Sequence, residues 1–312
     1  MNFLERIKEV VKNNDKRTII LTEGEDERVI EVIEDIVRND YCNIIVIGKL
    51  NKEITGVKVI NPSDYIDGFS KELYELRKDK GLTIEEARRL LLTNNMYFAC
   101  MLLLNNIGNG IVSGASHSSM DTIKPALELI KSNNKFVSSF FLMEIKDKLY
   151  LFSDSALNVN PSSEELARIG VESSYSYKKL TGNIPKTAFL SYSSYGSGKG
   201  ESVDKVKDAV VLAHNIDPTL IIDGEMQLDA AINREVSMFK TPNSIINGDA
   251  NVLIFPDLNS GNIGYKLVKE FCNAKCYGPI LQGLNKPVND LSRGASNEEI
   301  LGVILLTCLY SL

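Results

Sequence analysis

The stretch from residue 18 to residue 48 constrains the fold more than any other. Thr18-Ile19-Ile20-Leu21 is a short apolar run rich in β-branched side chains, and Thr22-Glu23-Gly24 follows it. Arg28, Val29, Ile30, Val32, Ile33, Ile36 and Val37 then recur at helical spacing, and Asn43–Gly48 is a second buried-type strand. Strand, helix and strand at these lengths form a βαβ unit, whose two strands must run parallel. Val57–Ile60 reads as a third strand, ended by Asn61-Pro62. The predicted class is therefore an α/β fold with a mainly parallel sheet.

Downstream, residues 64–105 read as helices with a break at Asp79-Lys80-Gly81, and Thr83-Ile84-Glu85-Glu86 has the spacing of a capping box. The apolar tract Met96–Leu104 is too short to span a membrane and fits a buried helix. Gly110–Gly114 reads as a strand entering a small-residue loop, with a helix starting at Asp121 or Thr122. Phe136–Glu144 and Lys148–Phe152 read as strands joined around Lys146-Asp147. Thr187–Ser191, Leu220–Ile222 and Val252–Phe255 are apolar runs between helical patterns, which predicts a second α/β arrangement. Ala295–Ser311 reads as a closing helix.

Composition narrows the functional classes. A chain of 312 residues is long enough for two domains. Its net charge of −6 argues against broad nucleic-acid binding, which needs a basic surface, but permits a local basic pocket. The five cysteines are scattered and only His117 and His214 could join them, so no zinc site is expected; buried free thiols in a reducing cytoplasm fit better. The first residues read as an amphipathic helix start and not as a signal peptide, so a cytoplasmic protein without a membrane segment is expected.

Four loops could carry chemistry, and a fifth segment is excluded. Ser193–Gly200 follows a strand and precedes a helix; its backbone amides with Ser197 and Lys199 suit an anion, or it is a plain turn. It is not a Walker A loop, because Ser193 stands where the first glycine belongs and Gly200 where the magnesium-binding hydroxyl belongs. In Gly114–Thr122, the hydroxyls of Ser118, Ser119 and Thr122 at a helix start suit phosphate oxygens or a simple N-cap. A nucleophile elbow there would need glycine at Ser118. Gly108-Asn109-Gly110 precedes a strand, the wrong order for a dinucleotide fingerprint. Asp257–Asn262 fits a ligand loop at a strand's carboxyl end or a helix cap. Last, Lys286–Gly294 precedes the final helix, with Ser292 and Arg293 at its N-terminus and Glu299 one to two turns in. A cation at the positive end of a helix is unfavourable unless an anion joins it, so this pattern fits a phosphate site with a carboxylate nearby, or a surface salt bridge.

Taken in order, six blocks resemble the phosphate acetyltransferase family, which includes phosphate butyryltransferases. They are GIVSGASHSSMDTIKP (110–125), LFSDSALNVNPSSEEL (151–166), FLSYSSYGSGKG (189–200), DGEMQLDAA (223–231), VLIFPDLNSGNIGY (252–265) and YGPILQGLNKPVNDLSRG (277–294). The resemblance implies two α/β domains with mainly parallel sheets, similar to isocitrate and isopropylmalate dehydrogenases, with the active site in the cleft. One domain is discontinuous, residues 1–136 plus 289–312, and the other is 137–288. The implied reaction is acetyl-CoA plus phosphate giving acetyl phosphate plus CoA, with no metal in the chemical step. CoA and acetyl-CoA are substrates, no cofactor is tightly bound, and a homodimer is expected.

By match, Ser292 and Arg293 bind the acyl phosphate, and Glu299 stands where the family usually has an aspartate as the proposed base for the CoA thiol. Lys124 replaces the arginine of a T-x-R-P motif, Ala295 replaces a cysteine, and Arg77 keeps a helix arginine. The expected phosphate- and substrate-binding set is Arg77, Ser118, Ser119, Thr122, Lys124, Ser197, Lys199 and Asn289. The alternatives are an acyltransferase preferring butyryl groups and a non-catalytic acyl-phosphate-binding homologue.

Overall fold

The computed structural model describes residues 2–132 and 136–312; the side chain of Ser119 lies outside the described set. The chain divides into two compact units, Met1–Lys135 with Leu284–Leu312, and Phe136–Gly283.

In the first unit the order is α1 (Phe3–Lys12), β1 (Thr18–Leu21), α2 (Glu27–Asn39), β2 (Asn43–Ile47), β3 (Lys58–Ile60), α3 (Ile66–Arg77), α4 (Ile84–Thr93), α5 (Asn95–Leu104), β4 (Gly110–Ser113) and α6 (Ser119–Leu129). Five strands of this unit lie in the order β3-β2-β1-β4-β11 and all pair parallel, where β11 is Val288–Asp290 and leads to the last helix, α12 (Asn297–Tyr310). The predicted βαβ unit is thus present, with Ile19 opposite Ile44 and opposite Gly110.

Both sheet faces are covered. Ile20, Ile45, Ile111 and Val288 pack with α3, α4, α5 and α6 on one side. On the other, α12 lies over β1, β4 and β11 and touches α1 and α2. From Ile300 to Leu309 every residue of α12 is buried, as expected of a helix that is apolar all round. The fit is close at Gly110, where an added Cβ would sit 2.4 Å from Thr307 Cγ2.

Capping chemistry sets several helix ends. Thr83 and Glu86 form the predicted capping box of α4, and the break before it ends at Gly81 with φ +85°. Asp257 accepts from the Ser260 N–H at 2.8 Å, so that motif is a helix cap. Two starts differ from the sequence expectation. Helix α6 begins at Ser119 with Ser118 as cap, ahead of the expected Asp121. Helix α12 begins at Asn297 with Ser296 as cap, which leaves Ser292 and Arg293 in the loop before it and puts Glu299 in its first turn.

The second unit contains β5 (Ser138–Ile145), β6 (Lys148–Ser153), α7 (Ser163–Thr181), β7 (Lys186–Leu190), α8 (Glu201–Ile216), β8 (Ile221–Met226), α9 (Leu228–Ile232), α10 (Arg234–Lys240), β9 (Val252–Ile254), α11 (Leu258–Cys272) and β10 (Lys275–Gln282). Its strands lie in the order β10-β5-β6-β9-β7-β8, antiparallel from β10 to β6 and parallel beyond. The β5–β6 hairpin turns at Lys146 and Asp147, both with positive φ. Helix α7 packs on this sheet through Gly170, where a Cβ would meet the Phe189 ring at 2.2 Å. Four of the five cysteines are buried free thiols; Cys272, at the end of α11, is exposed. Cys276 lies on β10.

Candidate active site at the carboxyl ends of β1, β4 and β11

The sheet of the first unit changes direction of travel at β1: the chain moves outward through β2 and β3, then returns to the other side of β1 with β4. In open α/β sheets the ligand site lies outside the carboxyl ends of the strands at such a switch point. Three loops meet there. Thr22-Glu23-Gly24 leaves β1, Gly114–Ser118 leaves β4, and Leu291–Ser296 leaves β11.

The first two loops are joined by buried polar contacts. Thr22 Oγ1 donates to Ser113 Oγ at 2.6 Å. The buried carboxylate of Glu23 accepts from the N–H groups of Ala115 (2.7 Å) and Ser116 (2.8 Å) and from Ser116 Oγ (3.0 Å). It also lies 2.7 Å from His117 Nδ1. The β4 and β11 loops touch at Gly114, whose φ is +107°; a Cβ there would meet Asp290 Oδ1 at 2.1 Å and Leu291 N at 2.8 Å. Only glycine allows both that backbone conformation and that approach.

Arg28, in the first turn of α2, fastens the β4 and β11 loops. Its Nη2 donates to Ala115 O at 2.9 Å, and its Nη1 donates to Arg293 O at 2.9 Å and Ala295 O at 3.0 Å. Its Nε and Nη2 also donate to the two oxygens of Asp26, at 3.1 and 2.7 Å. The Arg28 guanidinium holds the Asp26 carboxyl below the usual carboxylate range, against a smaller upward push from burial. A planar fork of five donors can satisfy such a set; an ammonium cannot. Neither Glu23 nor Arg28 figures in the sequence expectation for the site. Their contacts, with His117, Ala115 and Arg293, are all distant in sequence, so no local pattern marks them.

The expected site residues divide into three groups. Ser292 is half-buried and Arg293 exposed, on the loop that Arg28 holds. Glu299 is buried in the first turn of α12, and its Oε2 accepts the Ser296 N–H at 2.9 Å while Ser296 Oγ accepts the Glu299 N–H at 3.3 Å. The predicted base is thus also half of the capping box of α12. Ser118 is exposed and its Oγ donates to Asp121 at 2.7 Å, which holds the Asp121 carboxyl below its ordinary value.

Arg77 and Lys124 stand together in a second place in this unit, a hollow of about 280 Å³ that Lys80, Arg89, Tyr97 and Glu128 also line. Arg77 pairs with Glu128 at 3.2 Å, and Glu128 accepts from the Tyr97 hydroxyl at 2.7 Å. That bond, with burial as the larger cause, pushes the Tyr97 phenol well above its ordinary value.

The rest are placed differently. Asn289 is fully buried and donates to Thr307 Oγ1 of α12 at 2.8 Å. Thr122 is fully buried as well. Ser197 and Lys199 belong to the second unit, in a loop whose amides are already used internally. Gly196 N–H donates to Glu225 Oε1 at 2.8 Å, Gly198 N–H to Ser193 Oγ at 2.9 Å, and Ser194 N–H to Ser197 Oγ at 2.9 Å. The buried Glu225 carboxylate also accepts from Ser193 Oγ at 2.7 Å. Among the described residues, no group of His, Cys, Asp and Glu could hold a metal ion, and no helix is long and apolar enough to cross a membrane.

The helix-flanked parallel sheet, with Ser292 and Arg293 in the loop after β11, offers a candidate anion site at the carboxyl ends of its strands. Comparison with known proteins gives the family. Residues 2–308 match the phosphate acetyl/butaryl transferase model, and the chain belongs to that family of acyltransferases. It is 43% identical to a phosphate acetyltransferase of Clostridium acetobutylicum, covering 100% of this chain and 99% of that protein. Among solved structures it is similar to EutD phosphotransacetylase from Staphylococcus aureus, with a TM-score of 0.89, 39% identity and 99% of each chain covered. A phosphotransacetylase from Streptococcus pyogenes gives a TM-score of 0.91 at 37% identity, covering 99% of this chain and 98% of that one. The fold alone is shared with a putative 4-hydroxythreonine-4-phosphate dehydrogenase from Salmonella typhimurium, TM-score 0.59 at 12% identity, in line with the dehydrogenase-like architecture expected from the sequence.

Proposed function

We propose that this protein catalyses the reversible reaction acetyl-CoA plus phosphate to acetyl phosphate plus CoA, with the Ser292–Arg293 loop as its phosphate site. The observation that carries the reading is this loop's position, at the carboxyl end of β11 and ahead of the positive end of α12, with Arg293 exposed. A cation there is stable when an anion joins it. Ser292 and Arg293 hold the phosphoryl group of acetyl phosphate, and a bidentate guanidinium contact stabilises the departing phosphate. Ser118 adds a hydroxyl from the neighbouring loop.

Glu299 takes the thiol proton of CoA. An ordinary carboxyl lies about 4 units below a thiol, so the direct transfer is uphill by roughly 6 kcal/mol. Proton transfer is therefore concerted with attack on the carbonyl carbon. Arg77 and Lys124, with Lys80 and Arg89 beside them, take further phosphate groups of the substrates in the 280 Å³ hollow. Lys124 offers a point charge in place of a guanidinium fork. CoA exchanges as a substrate, and no cofactor is tightly bound.

The protein works in the cytoplasm as a homodimer; exposed Leu228, Ile232, Met238 and Phe239 on α9 and α10 support an apolar self-association surface. Light scattering at micromolar protein gives the oligomeric state. The function itself is tested by phosphate-dependent release of CoA from acetyl-, propionyl- and butyryl-CoA. Acetyl-CoA is expected to give the highest kcat/KM; no release from any of the three overturns the reading.

A further inference from the structure

We infer that His117 is the acid–base catalyst for the phosphate half of the reaction, oriented by the buried carboxylate of Glu23. The inference rests on the proposed acetyl transfer and deepens it. Glu299 answers for the thiol proton only. The phosphate side needs its own group, because the oxygen that leaves acetyl phosphate would otherwise depart carrying a third negative charge.

The geometry is that of a base with an orienting carboxylate. Glu23 is fixed by two backbone N–H groups and by Ser116 Oγ, and its Oε1 meets His117 Nδ1 at 2.7 Å. The Glu23 side chain is 3% exposed and that of His117 56% exposed. A carboxylate accepts, so Nδ1 carries the proton and Nε2 is left for the substrate. The same carboxylate stabilises the imidazolium when it forms. His117 lines a hollow of about 250 Å³ with Thr22, Ser113, Asn94, Asn95 and Asp121. The charged groups facing the dyad are Asp121 from α6 and Arg28 from α2, which lies near Glu23; the other lining residues named are neutral. Arg28 also bonds Ala115 O and Arg293 O with one guanidinium, so the His117 loop lies beside the Ser292–Arg293 loop.

The step balances as follows. The CoA sulfur forms the C–S bond at the acetyl carbon. The C–O bond to phosphate breaks with its electron pair going to the phosphate oxygen. That oxygen takes the proton from His117 Nε2, giving hydrogen phosphate and neutral imidazole. The thiol proton, left on Glu299, returns to the imidazole through solvent. In reverse, neutral His117 removes the proton from hydrogen phosphate as it attacks acetyl-CoA.

The test compares wild type with His117→Gln in both directions, using acetyl phosphate with CoA and acetyl-CoA with inorganic phosphate. The expected loss in kcat is at least about a hundredfold, with the KM for CoA held within about threefold. The pH profiles should be mirror images in the wild type. From acetyl phosphate, activity falls as rising pH takes the proton from His117; from acetyl-CoA, it falls as dropping pH protonates it. His117→Gln should lose both of these limbs, and imidazole added to His117→Ala should restore part of the rate.

A His117→Gln protein with kcat within about threefold of wild type and both limbs intact overturns the inference. So does a slow variant whose limbs persist and whose His117→Ala counterpart imidazole does not rescue, since that is the behaviour of a structural residue. If the wild type itself shows no transfer in either direction, the functional reading fails, and the two failures are distinct.

Discussion

The guanidinium of Arg28 donates to the carbonyl oxygen of Arg293 at 2.9 Å, across 265 positions of sequence. The residue proposed to hold phosphate is therefore held by a second arginine that leaves its side chain free of that task. Because Arg28 also bonds Ala115 O and Ala295 O, the β4 and β11 loops are positioned by one rigid plane.

Replacing Arg28 should therefore lower kcat more than it raises any KM. A displacement of about 1 Å in a catalytic loop can cost about a hundredfold in rate. Arg28→Lys should lose nearly as much as Arg28→Ala, because an ammonium cannot span the same carbonyls. Steady-state kinetics of both variants check this, and a Lys variant at wild-type rate would remove the positioning role.

Glu299→Gln separates chemistry from capping. Glutamine at the third helical position still completes a capping box, so α12 should keep its stability. The kcat is expected to fall far more than KM changes. Ser296→Ala supplies the converse, costing about 1 kcal/mol of stability through the lost cap. Thermal melts beside kinetics distinguish the two, and an unchanged kcat in Glu299→Gln would dismiss the carboxylate as base.

Lys124→Ala should raise the KM for acetyl phosphate or phosphate, by loss of one cation from the hollow it shares with Arg77. Lys124→Arg should recover or exceed wild-type affinity through its bidentate fork. If only the KM for CoA moves, Lys124 belongs to the CoA contacts instead.

Gly114→Ala should disrupt the site and destabilise the first unit. The added methyl would sit 2.1 Å from Asp290 Oδ1 at a φ of +107°. Strain of this kind costs of order 1–3 kcal/mol before any clash is counted. A lowered melting temperature together with lost activity is the expected pair; a stable and active variant would mean that the β4 and β11 loops do not approach as closely as described.

Much of the frame was legible in the sequence. Period and composition fixed the βαβ start, the buried helices at 95–104 and 297–310, and the hairpin at Lys146-Asp147, because each depends on local patterns of apolar residues and turns. The Ser292–Arg293 loop was legible only as a candidate: a cation ahead of a helix fits an anion site or a salt bridge, whatever the rest of the fold does. Strand β11 was not legible. Two of its three residues are polar, and Val288–Asp290 is a strand only because β4 pairs with it. Strand β10 is obscured by Gly278-Pro279, where its register with β5 shifts.

The tertiary structure alone decided the supporting groups. Glu23 and His117 are 94 positions apart, and Arg28 and Arg293 265. Nothing local marks either pair, because their contacts exist only once parallel pairing brings the ends of β1, β4 and β11 to one edge. The same burial turned Asn289 inward to Thr307 and paired the Gly196 N–H with Glu225, since buried polar groups take the partners that the fold provides. Sequence thus determined which residues could carry phosphate chemistry, and the fold determined which of them stand at the carboxyl ends of the strands.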